Sequence, residues 1–170
     1  MYTHDFPSEV AGLVLIESIT PRQFNATAIE APVSPALTSL PIQGRLGIVR
    51  LLARPLGLIP DLPEDLQPAY LSRLVRPSNL QSMLDEAQGM PAGGAEAAGV
   101  KSFGNLPLIV FTARLNTDIP GWQAWQTELL QQSTNSQKLF AEKSSHNIEM
   151  EEPQAAVSAI LQMVRQVRGQ

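Results

Sequence analysis

His146 is the residue whose type and setting could do the most chemistry. An imidazole titrates near neutral pH and can act as a general base or acid. It lies in Ala141-Glu142-Lys143-Ser144-Ser145-His146-Asn147, after a short strand candidate, Lys138–Ala141, and before Glu151-Glu152-Pro153 and an amphipathic helix. A histidine on such a loop can project its ring at the C-terminal edge of a parallel sheet, where ligands bind in open α/β structures. The other histidine, His4, sits in a short polar helix end and is expected at the surface. There is no cysteine, which removes thiolate nucleophiles, disulfides and Cys-ligated zinc together. No short metal motif of the H-E-x-x-H kind is present, and no metal or other cofactor is expected.

The elements that must position His146 are legible from apolar patterning. Gly12-Leu13-Val14-Leu15-Ile16 and Leu106-Pro107-Leu108-Ile109-Val110-Phe111-Thr112 are apolar on successive residues, as strands covered on both faces require. Val157, Ile160, Leu161 and Val164 follow helical spacing, with Pro153 suited to a first turn and Arg165 and Arg168 near the end. Trp122, Trp125 and Leu129 mark a second helix after Pro120-Gly121; the tryptophans are expected in the core. The pattern predicts a three-stranded parallel sheet near 12–17, 106–112 and 137–142, with helices near 120–133 and 153–168. That is an α/β layer structure.

Residues 44–90 differ. They carry three amphipathic stretches with no strand between them, marked by Val49, Leu52 and Leu56, then Leu66, Tyr70 and Leu74, then Leu80, Met83 and Leu84. Pro91-Ala92-Gly93-Gly94-Ala95 is expected to be a flexible loop. Arg45, Arg50 and Arg54 are expected on a solvated side. A helical insert between two strands can serve as a lid over a site or be a surface subdomain without that role.

Composition narrows the partners. The 170 residues carry a net charge of −4, with 16% charged and 44% hydrophobic residues. The mild acidity argues against binding nucleic acid or an anionic membrane by charge, and the hydrophobic fraction against disorder. No apolar run approaches a membrane span, and the first residues lack a signal-peptide pattern, so a cytoplasmic location is expected.

The ordered set of elements resembles the C-terminal half of the α/β-hydrolase fold. Ser144-Ser145-His146, then Glu152-Pro153 and a helix, is similar to that family's catalytic-histidine loop. Tyr2–Ser18 resembles the end of the helix after the nucleophile, followed by the sixth strand; Leu106–Thr112 resembles the seventh and Lys138–Ala141 the eighth. The resemblance implies a core from residues 1–18 and 106–170, with a helical cap at 19–105. It implies His146 as the base of a nucleophile–His–acid triad. Two residues compete for the acid. Glu17 ends the first strand, where some members carry it. Asp118 follows the second strand, the commoner place, but Ala113–Asp118 is longer than the usual strand-to-acid turn, which favours Glu17.

One departure dominates. The family's nucleophile sits in a G-x-S-x-G turn, and no such motif occurs; Gly89–Gly93 reads G-M-P-A-G. The usual oxyanion donors would be missing with it. The resemblance therefore implies part of an ester- or amide-cleaving hydrolase, inactive alone, taking a small-molecule substrate when a nucleophile-bearing half completes it. The alternative is a non-catalytic binding module or degenerate relative. Gly12–Ile16 would form an uncharged open strand edge, through which self-association is expected.

Overall fold

A computed structural model describes residues 2–21, 23 and 34–169. In chain order the elements are α1 (Tyr2–Asp5), β1 (Leu13–Ile16), α2 (Pro35–Thr38), α3 (Leu40–Arg45), α4 (Ile48–Leu52), α5 (Gln67–Leu74), α6 (Pro77–Ala97), β2 (Leu108–Ala113), α7 (Trp122–Leu130), β3 (Ser136–Ala141), α8 (Ile148–Glu151) and α9 (Pro153–Arg168). Short 3-10 turns follow α1 at Pro7–Glu9 and β2 at Arg114–Asn116. The chain divides into two compact units, one from residues 1–26 and 94–170, the other from 27–93.

The first unit is α/β. Its three strands are all parallel, in the order β1-β2-β3, and each lies within two residues of its predicted span. β2 is central and buried along its whole length, which is why its sequence shows no polar alternation. Side chains alternate across the sheet. Ile109, Phe111 and Ala113 face one side with Val14, Ile16, Leu139 and Ala141, against Ile148, Ala156, Ala159 and Met163 of α8 and α9. Leu108 and Val110 face the other with Leu13 and Leu15, against Leu129 and Leu130 of α7. Trp122 is buried and meets Trp125 edge-on at 6.4 Å.

The buried face of α9 is not the predicted one. Val157, Ile160 and Leu161 are 47%, 46% and 48% exposed, while Ala156, Ala159 and Met163 are buried. Ala156, Ala159 and Met163 form the buried face instead, and Gly12 leaves room for Met163: a Cβ there would lie 2.4 Å from Met163 Sδ and 3.0 Å from Val167 Cγ2. One flank of α9 is tied to β3 by glutamine amides, with Gln162 Nε2 donating to Gln137 Oε1 at 2.8 Å and Gln137 Nε2 donating to Gln166 Oε1 at 3.3 Å.

The second unit falls in sequence between β1 and β2, and its described residues are helical or irregular, with no strand. Val49, Ala53, Leu80 and Leu84 are buried in it. Gly44 allows α3 to approach α6, since a Cβ there would lie 2.3 Å from Leu80 Cδ1. Arg45, Arg50 and Arg54 are exposed, as expected. The loop expected at Pro91–Ala95 is instead helical: α6 runs from Pro77 to Ala97 with Pro91 inside it. Ala92, Ala95 and Ala97 are strong helix formers, but against about 3 kcal/mol for an interior proline and about 1 kcal/mol for each of Gly89, Gly93 and Gly94, propensity alone does not account for the helix. Among the described residues no helix is long and apolar enough to cross a membrane.

Candidate active site

β1 ends at Ile16, and the chain turns sharply at Glu17. Its N–H still donates to Phe111 O of β2 at 2.9 Å, but its φ is 46°, the only left-handed value at a non-glycine among the described residues. An L-residue pays about 1–2 kcal/mol for that conformation. The turn carries the carboxylate inward, where Glu17 is 5% exposed. Oε1 accepts the Ala113 backbone N–H at 2.9 Å, and Oε2 accepts the Asn116 amide. The next residues are fixed as well. Ser18 O accepts Gln126 Nε2 at 2.9 Å, and Gln126, fully buried on α7, also accepts the Thr112 hydroxyl at 2.9 Å.

His146 comes from the β3 side. Its loop is held by the carboxylates that follow it. Ser145 donates both its N–H (2.6 Å) and its hydroxyl (2.9 Å) to Glu151, and the Lys143 N–H donates to Glu152 Oε1 at 2.6 Å. Ile148, wholly buried, anchors the start of α8. At the ends of β2 and β3, Arg114 grips Glu142 through two N–H donors at 2.9 and 2.7 Å and lies 3.6 Å over the Phe140 ring.

These two supports bring His146 Nδ1 to 3.8 Å from Glu17 Oε2. The separation is an ion-pair distance, longer than a direct hydrogen bond. The Glu17 carboxylate raises the His146 pKa above the ordinary imidazole value; partial burial opposes the rise, and Glu149 and Glu151 add to it. With Nδ1 toward Glu17, Nε2 is the nitrogen left to exchange a proton. The imidazole is 70% exposed and the carboxylate 3%, so the pair presents a solvent-facing base backed by a buried acid group.

Asp118 takes no part in this arrangement. It is exposed, beyond the Arg114–Asn116 turn, and no ion pair joins it to His146. The residue of that segment which does reach the pair is Asn116. The sequence expectation for this segment was a carboxylate, not an amide donor; the place of Asn116 just after β2 is the signal that points to it. His4 is exposed. It lines a hollow of about 240 Å³ with Thr3, Pro7, Ser102, Phe103 and Leu106, residues that precede β1 and β2 and so lie toward the opposite end of the strands from His146. Among the described residues no group of three or more His, Asp or Glu side chains could hold a metal ion.

Compared with known proteins, the chain matches no family model and no curated protein.

Proposed function

We propose that His146 and Glu17 are the base and the acid of an α/β-hydrolase-type site whose nucleophile comes from outside these 170 residues. The observation that carries this reading is the Glu17 carboxylate, buried, left-handed in φ, and held by Ala113 N–H and Asn116 within 3.8 Å of His146 Nδ1. A surface ion pair needs none of that apparatus. A triad does, because the acid must hold the imidazole in one orientation and stabilise its charged form while Nε2 takes a proton from the nucleophile. The pair sits beyond the C-terminal ends of parallel strands, where α/β proteins bind ligands. The helical unit between β1 and β2 would then be the cap.

With no serine in a G-x-S-x-G turn, the chain alone lacks the nucleophile that such a base activates. Activated esters such as p-nitrophenyl acetate are expected to turn over no faster with the wild-type chain than with His146→Ala. Robust turnover that His146→Ala removes would contradict the external nucleophile. A second reading, a non-catalytic binding module, is favoured by the apolar side chains on the helical unit: Ile42, Leu46, Leu51 and Leu56 are all more than 60% exposed.

A further inference from the structure

Among the described residues one edge of β1 is open. Leu13 and Glu17 donate their N–H groups to Pro107 and Phe111, so by the alternation of a parallel ladder the N–H and C=O groups of Val14 and Ile16 face away from β2. Among the described residues only β2 pairs with β1, and the Ile16 carbonyl has only a 3.5 Å contact from Ser18 Oγ. Native edges are usually blunted by charge, proline or a bulge; Leu13-Val14-Leu15-Ile16 has none of these.

α9 supplies a second observation on the same side. Its flank bearing Gln162 and Gln166 is bonded toward β3, to Gln137 and Asn135. At 100° per residue, Val157, Ile160, Leu161 and Val164 fall on the opposite flank, which therefore faces outward past β1. The first three are nearly half exposed. Among the described residues both outer strands leave one edge unpaired; β3 carries Lys138 and lies beside polar amides, while β1 is uncharged and lies beside an apolar helix flank.

We propose that this side is covered by a second copy of the chain, with β1 pairing antiparallel to its own mate about a twofold axis at Leu15. The edge is self-complementary in that register. Val14 would exchange both backbone hydrogen bonds with Ile16 of the second copy, and Ile16 with Val14, so every open group is paired. Leu15 would face Leu15 in the intervening non-hydrogen-bonded pair. The two sheets would join as one sheet of six strands, with both α9 helices on the same face. α9 packs over all three strands, so the twofold axis would set the two helices side by side on that face with their apolar flanks turned toward each other. Neither β1 nor the four flank positions carries a charge, so nothing is repelled when this surface meets itself, as an isologous contact requires. A nucleophile-bearing half using the same edge would displace the second copy, but the pairing does not depend on that reading of the site.

Sedimentation velocity of the full chain from low to high micromolar concentration should give a dimer, twice the 18.5 kDa chain mass. Ile160→Glu combined with Leu161→Glu puts two charges into the helix contact and should weaken dimerisation about 100-fold or more. Both positions are exposed in the single chain, so its circular dichroism should not change. Leu15→Cys should form an interchain disulfide under mild oxidation, because facing residues of a non-hydrogen-bonded pair stand about 4.5 Å apart at Cα, within disulfide range. Ser136→Cys on β3 should not. A monomer at every concentration, as expected if another protein covers this edge, overturns the proposal. So does a mass that keeps climbing with concentration, a dimer untouched by the α9 charges, or Leu15→Cys crosslinking no faster than Ser136→Cys. None of these outcomes changes the His146–Glu17 geometry, which is read separately by titration.

Discussion

Gln126→Ala is expected to lower folding stability by about 2–5 kcal/mol, since each buried polar group left without a partner costs about 1–3 kcal/mol. Gln126 is wholly buried and bonds two groups at once: it accepts the Thr112 hydroxyl and donates to Ser18 O. Truncation orphans both and leaves a cavity under α7. Against a typical total of about 5–15 kcal/mol, that is a large share. The effect reaches the site because Ser18 directly follows Glu17; releasing its carbonyl frees the turn that presents the carboxylate. Urea unfolding of the wild type and the variant measures the loss. A change below about 1 kcal/mol would mean that the two partners find water or each other.

Phe111→Ala is the second large effect, expected at about 3–5 kcal/mol, the usual cost of emptying a buried aromatic site. Phe111 is 2% exposed in the middle of β2, packed among Ile109, Ala113 and the buried face of α8 and α9. Its carbonyl also accepts the Glu17 N–H, a bond the substitution leaves in place. The variant should therefore unfold more easily yet keep the Glu17 turn while folded. A loss smaller than about 1.5 kcal/mol would mean that the layer of α8 and α9 collapses into the space, which Ala156, Ala159 and Gly12 already make tight.

The sheet was legible because its central strand is apolar on consecutive residues: Leu108–Phe111 has the pattern of a doubly covered strand. The long stripe on α9 misled for a related reason. Periodicity marks where large apolar residues lie on a helix, but which side is buried depends on the packing. Here Ala156, Ala159 and Met163 form the buried face, with Gly12 leaving room for Met163. Pro91 misled because a breaker sets only a local propensity, and the helix from Pro77 to Ala97 continues through it. At the site, the residue types were visible in the sequence, and the length of Ala113–Asp118 already favoured Glu17 over Asp118 as the acid. The geometry was not visible: the left-handed φ at Glu17 and the Asn116 amide nearly a hundred residues away in sequence are encoded by no local pattern.

The proposed site requires Glu17 to be the partner of His146. The chain has only two histidines, so the imidazole proton resonances can be assigned with His146→Ala and followed by NMR across pH. His146 should titrate above the ordinary imidazole value of about 6.5, in the direction its neighbouring carboxylates impose. Glu17→Gln, which keeps the shape and removes the charge, should bring the midpoint down, while Asp118→Asn should leave it unmoved. A His146 midpoint indifferent to Glu17→Gln, or one that falls with Asp118→Asn instead, would contradict the pairing on which the proposed site stands.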